Sequence, residues 1–248
     1  NEMFECIVEW PDESLRLVGT RANGSNRQWM ITKLASDGTL VWAKQQPALT
    51  ATQLVNSALV VGDSLVVCGT QRTESSSSSK TPVIRIFDDA GNELFHRAYG
   101  SFSSEDNFVD IAVDDAGGYM LTTLIQPTSD IGTIHLDASF GITWTGSQSL
   151  AVAGSYLLGG RITNDPAPGS NFFVSATIFG GVNTLASVVH LAPAPDWSTT
   201  FSAGLADNRP GLDGSFLRML AATVSASGMS TGQTIVSIPS DGPSTPLC

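Results

Sequence analysis

Leu17-Val18-Gly19-Thr20, an apolar run closed by a small residue and a threonine, returns along the chain in four further variants. They are Val66-Val67-Cys68-Gly69-Thr70, Met120-Leu121-Thr122-Thr123, Val174-Ser175-Ala176-Thr177 and Leu220-Ala221-Ala222-Thr223. Their threonines stand 50, 53, 54 and 46 residues apart, a spacing that belongs to repeat architectures. A second motif follows each after a polar loop: Ile31-Thr32-Lys33-Leu34, Ile84-Arg85-Ile86, Ile134-His135-Leu136, Val189-His190-Leu191 and Ile235-Val236-Ser237-Ile238. This second motif alternates apolar and polar residues, the period of two that marks strands and not the 3.6 of helices.

Turn signals separate further strands. Ser36-Asp37-Gly38, Asp89-Ala90-Gly91-Asn92 and Ser139-Phe140-Gly141 read as hairpin connections into a strand that bears an aromatic. The aromatics are Trp42, Phe95, Trp144 and, by position, Trp197. Upstream of the first motifs lies one more strand each, such as Phe4 to Glu9, Leu54 to Val61 and Phe108 to Val113. Four strands in about fifty residues, five times over, is the plan of a five-bladed all-β propeller with four-stranded antiparallel blades. The expected blades of this single domain are 1–47, 48–100, 101–148, 149–203 and 204–248.

Two segments carry a resemblance. Asp110-Ile111-Ala112-Val113-Asp114-Asp115-Ala116-Gly117-Gly118-Tyr119, and Ser14 to Thr20 with Trp29 to Trp42, resemble the repeat of secreted bacterial β-propeller proteins over residues 1–148. The resemblance implies the fold and export to the cell surface or beyond, and it carries over no shared catalytic residue. The Gly-His and Trp-Asp pairs of WD40 repeats do not occur here.

Composition narrows the function classes. Twelve Lys and Arg against 23 Asp and Glu give a net charge of −11, with the basic residues scattered, so neither nucleic acid nor an anionic membrane is an expected partner. The charge-poor stretches 138–160 and 166–195 are interrupted every few positions by Ser, Thr, Asn, Gln, Gly or Pro and do not read as spanning helices. The chain opens at Asn1 without a basic-then-apolar leader, which fits a processed product or a fragment. Cys6, Cys68 and Cys248 match no zinc spacing, and no metal or cofactor is expected.

Few residues point to chemistry. His135 and His190 occupy the place of Lys33 and Arg85 in other repeats and read as surface or edge side chains; His96 beside Phe95 reads the same way. Gly228-Met229-Ser230-Thr231-Gly232 matches a nucleophile elbow, yet a strand follows it where a helix is required, so it reads as a loop. The run Ser75 to Ser79 reads as a solvated loop, and Asn23-Gly24-Ser25 is a glycosylation candidate at Asn23. Glu5, Glu9, Asp110, Asp114 and Asp115 are the carboxylates that a propeller glycosidase would use as paired acid and nucleophile, although Asp114-Asp115-Ala116-Gly117-Gly118 is more simply a turn.

The expectation that follows is a non-enzymatic extracellular or cell-surface scaffold for protein subunits or a surface polymer. A five-bladed sugar-binding lectin and a glycoside hydrolase are the alternatives. Ring closure would bring the chain ends together and pair Cys6 with Cys248, whose long loop gives a disulfide on the order of 4 to 5 kcal/mol in the chain-entropy model. Charge is lopsided: 27 of the 35 charged residues lie in 1–137, leaving 8 for 138–248. That span is expected to meet a partner, glycans included, through residues such as Phe172, Phe173 and Trp197.

Overall fold

The computed structural model describes residues 2–23, 26–47, 52–72, 80–100, 107–125, 130–149, 156–164, 172–180, 183–191, 195–201, 204–210, 216–224 and 230–239. Side chains are described for 2–22, 26–47, 52–72, 80–100, 108–123, 132–147 and Ile162. All regular structure among these residues is strand. The first sheet holds β1 (Glu2–Glu9), β2 (Leu15–Asn23), β3 (Asn26–Leu34) and β4 (Leu40–Gln45). The second holds β5 (Gln53–Val61), β6 (Ser64–Arg72), β7 (Lys80–Phe87) and β8 (Glu93–Ala98). The third holds β9 (Asn107–Val113), β10 (Tyr119–Ile125), β11 (Asp130–Leu136) and β12 (Ile142–Ser149). The fourth holds β13 (Tyr156–Asn164), β14 (Phe172–Gly180), β15 (Asn183–Leu191) and β16 (Pro195–Phe201). The fifth, with three strands among the described residues, holds β17 (Gly204–Pro210), β18 (Phe216–Val224) and β19 (Ser230–Pro239).

Within every sheet the strands pair in chain order, and each described pairing is antiparallel. The chain forms two compact units, 1–111 and 112–248, whose boundary falls inside β9. In the first unit a core lies between the first two sheets. Trp10, Val18, Trp29 and Ile31 from one meet Val55, Leu65, Val67, Val83 and Phe87 from the other. Face-to-face burial of two sheets is what the alternation in each strand prepares. In the second unit Tyr119, Met120, Leu121, Ile134, Leu136 and Phe140 are buried, with Tyr119 stacked on Phe140 at 4.6 Å between ring centroids.

The glycine of the first motif has a steric cause. A bulge in β1 between Phe4 and Cys6, and one in β5 between Val55 and Ser57, press the first strand onto the second. A Cβ on Gly19 would lie 2.0 Å from Met3 O, and one on Gly69 would lie 2.1 Å from Leu54 O. In these two sheets the strand before the first motif therefore dictates the glycine within it.

A second bulge recurs at the outer hairpin, one residue before the end of the third strand. It puts Lys33 opposite Trp42, Ile86 opposite Phe95, His135 opposite Trp144 and His190 opposite Trp197. The four aromatics thus share one register position on the outermost strands. Arg85, read from the sequence as the counterpart of Lys33, stands one residue earlier and is buried. The cause is the turn. The amide of Ala35 bonds Thr39 O and that of Asp88 bonds Asn92 O, so Asp88 and not Phe87 corresponds to Ala35.

No helix among the described residues is long and apolar enough to cross a membrane.

Candidate functional site

The first strands of the first unit come edge to edge. Cys6 Sγ donates to Asn56 O at 3.6 Å, and Asn56 Nδ2 donates to Phe108 O. Ser57 Oγ donates to Asp110 Oδ1, which also accepts the amide of Ile111 at 3.0 Å. Asn56 is the extra residue of the β5 bulge, so the bulge that demands Gly69 also turns this amide toward the next strand. Glu5 occupies the same bulge position in β1 and is exposed, as is Glu9; Asp110 is buried. β1, β5 and the start of β9 thus meet along one edge that carries an exposed and a buried carboxylate, with Met3, Phe4 and Ile7 of β1 also exposed.

Asp114 and Asp115 lie in the turn between β9 and β10, as the sequence suggested. Asp114 Oδ1 accepts the amides of Ala116 at 2.8 Å and Gly118 at 2.7 Å. Its other oxygen receives His135 Nε2 at 2.7 Å. Burial works to raise this carboxyl, but the histidine bond and the two amides outweigh it and hold it below the usual aspartate value. His135 is therefore no bare surface side chain. Its Nδ1 lies 2.5 Å from Thr143 Oγ1, and its ring stacks on Trp144 with an interplanar angle of 7°. Gly118 makes the arrangement possible, since a Cβ there would sit 2.8 Å from Asp114 Oδ2 and 3.2 Å from His135 Nε2. The partner twenty-one residues away could not be read from the sequence.

Two buried arginines tie the first two sheets. Arg16, 1% exposed, lies 4.4 Å over the Trp10 ring and 5.9 Å from that of Trp42. It pairs with Asp89 from the turn between β7 and β8, which also receives Lys33 Nζ at 2.8 and 2.9 Å. Arg85 lies over Trp29 at 5.2 Å and pairs with Glu93, while its Nη1 is buried without a hydrogen bond. Burial holds this guanidinium below its usual value against the pull of Glu93. His96 is lowered by burial first and by Arg85 second, so it stays neutral near pH 7.

The remaining sequence candidates divide by what is described. Trp42 packs against the core of the first unit and Trp144 stacks on His135, and both are half-buried. Ser230 begins β19, so the elbow-like motif runs into a strand. Asn23 ends β2 and pairs with Asn26, while its side chain, Gly24 and Ser25 lie outside the described residues. Phe172, Phe173 and Trp197 fall on β14 and β16, with side chains outside the description, as is the whole of Ser75 to Ser79. Cys68 is buried, Cys6 is half-buried, and Cys248 lies outside the described residues, so the expected Cys6–Cys248 pairing does too. No group of three His, Cys, Asp or Glu among the described residues could hold a metal.

No protein-family model matches the chain, and no curated protein does. Solved structures do. The chain is similar to the alpha-L-arabinanase of Penicillium chrysogenum at 12% identity and a TM-score of 0.53, over 96% of this chain and 74% of that one. The β-propeller domain of the Trilobed protease from Pyrococcus furiosus matches at 12% identity and 0.52, over 96% and 67%. The xylan beta-1,4-xylosidase of Bacillus halodurans matches at 12% and 0.50, over 99% and 56%. The fold is that of β-propeller proteins. These neighbours also correct the expectation of a non-enzymatic chain, because glycoside hydrolases stand among the proteins that share this architecture. The physical reason is that a propeller draws reacting carboxylates from separate strands, so the lack of a contiguous catalytic motif says nothing against an enzyme.

Proposed function

We propose that the chain is an exported five-bladed β-propeller that hydrolyses glycosides, with its reacting carboxylates on the first strands of the blades. The observation that carries this reading is the shared edge of β1, β5 and β9, where Glu5 is exposed and Asp110 is held by Ser57. Glycoside hydrolysis asks for one carboxyl that protonates the leaving oxygen and one carboxylate that attacks the sugar or activates water. Their separation, about 5 to 5.5 Å or 6.5 to 9.5 Å, decides whether configuration is retained or inverted. An arabinanase and a xylosidase among the neighbours favour a plant-type polysaccharide as the substrate class. The weakly charged span 138–248, with Phe172, Phe173 and Trp197, is the surface assigned to the polymer.

A panel of chromogenic pentosides and hexosides, with arabinan and xylan as polymers, tests the reading. Turnover of at least one substrate is expected, falling a hundredfold or more, by the scale of about 10² to 10⁴ for general acid–base groups, in Glu5→Gln or Asp110→Asn. No turnover of any member, or turnover unchanged in both variants, overturns it.

A further inference from the structure

We propose that Asp114, His135 and Thr143 form an acyl-transfer site in the third sheet, independent of the glycoside reading, with Thr143 Oγ1 as nucleophile and His135 Nδ1 as its base. The base lies within hydrogen-bond reach of a hydroxyl on one side, at 2.5 Å, and of an orienting carboxylate on the other, at 2.7 Å. That is the relation an activated nucleophile requires. Asp114 fixes the tautomer. Ionised, with its side chain 2% exposed and its other oxygen held by two backbone amides, it can only accept, so in the neutral imidazole the proton sits on Nε2 and the Nδ1 lone pair faces Thr143. Thr143 Oγ1 also donates to His135 O at 3.1 Å, the longer of its two contacts, so attack requires the hydroxyl to leave that carbonyl and turn its proton to Nδ1.

The repeat itself does not demand this arrangement. Thr143 is the extra residue of the outer bulge, which re-aims its side chain onto His135. The matching bulge residues of the first two sheets are Val41 and Leu94, and the residues in the place of His135 are Lys33 and Ile86. Val41 and Leu94 are exposed, so the bulge position imposes no packing need that a threonine would answer. Beside the site Phe140 holds a positive φ of 63° where the other two sheets place Gly38 and Gly91, and strain of this kind collects at functional sites.

The substrate class is a carboxylic ester that can reach an exposed outer strand. Thr143 Oγ1 bonds to the acyl carbon while its proton passes to His135 Nδ1, and the ester C–O bond breaks as that proton goes to the departing alkoxide. Water, deprotonated by the same nitrogen, then releases the acid and restores the hydroxyl. With p-nitrophenyl acetate as the probe, a burst of p-nitrophenolate and an acetyl group on the peptide bearing Thr143 are expected. Thr143→Val and His135→Gln should lower the burst rate by about a hundredfold or more. Thr143→Ser should restore it. Asp114 is a positioning residue, so Asp114→Asn, which removes the negative charge beside the imidazole, should slow acylation and move its pH profile to lower pH. Thr143→Val changes one exposed hydroxyl, and an unaltered circular dichroism spectrum shows that it folds. Acetylation at the wild-type rate in Thr143→Val, an acetyl group only on other residues, or no acyl-protein at all overturns the proposal.

Discussion

In the first sheet the hairpin between β3 and β4 turns on Gly38 at φ +84°, and Lys33 beside it reaches Asp89 in the next sheet. In the third sheet the hairpin between β11 and β12 turns on Phe140 at φ +63°, and His135 in the place of Lys33 reaches Asp114 within its own sheet. The backbone is the same in both, down to the bulge after the third-strand residue. What differs is how the hairpin is held. In the first unit, charges cross between sheets; in the third sheet, an aromatic stack and a carboxylate–imidazole pair hold the hairpin to the neighbouring turn. A repeat therefore conserves turns and bulges, which set the path of the chain, and leaves the side chains at those bends available for other work.

The largest effect is expected where the shared backbone itself is attacked. Gly69→Ala places a methyl group against Leu54 O and 2.9 Å from the Trp29 ring, and should cost about 3 kcal/mol or more in urea or thermal unfolding. An effect below about 1 kcal/mol would show that the bulge yields easily, and that the glycine is not what sets the strand crossing.

Next comes the third hairpin. Phe140→Gly relieves the positive φ, worth about 1 kcal/mol, but deletes a buried ring stacked on Tyr119, worth about 3, so a net loss near 2 kcal/mol is expected. A stabilised variant would mean that the strain exceeds the packing. In the first unit, Asp89→Ala leaves Arg16 buried with its cation–π contacts, Ser14 Oγ and Leu15 O. Asp89 is half exposed, at 51%, which moderates the loss to about 1 to 2 kcal/mol, measured by denaturant unfolding.

The same comparison has a pH axis. Asp114 lies below the usual value of 3.8, so its contribution is fully present above that value and is lost as pH falls through the lower folded value. The stability gap between the wild type and Asp114→Asn should therefore narrow below about pH 4. A gap that widens on acidification would reverse the assignment. Least of all is expected from Arg85→Met. A buried guanidinium with one unpaired nitrogen gives way to an apolar chain of similar length, Glu93 remains within reach of solvent, and the change should stay within about 1 kcal/mol.

The sequence made the strands, their order and the outer aromatics legible, because alternation and turn residues act over a few positions. Trp42, Phe95, Trp144 and Trp197 do share one register, as their spacing after the turns implied. Arg85 shows where such reading slips. A one-residue difference in where the turn begins moved it from the row of Lys33 to a buried position over Trp29, because side chains alternate faces with every residue. Asp110 was legible as a candidate carboxylate; its tie to Ser57, fifty-three residues away, was not.

By itself the sequence determined a chain of repeated antiparallel strands, acidic overall and poor in charge beyond residue 137, since composition and short-range period need no partner to be read. Only the tertiary structure decided why Gly19 and Gly69 are glycines, which acids share an edge, and that His135 stands between a carboxylate and a hydroxyl. Those facts depend on bulges that bring strands within about 3 Å of distant residues, a distance set by packing and not by spacing along the chain.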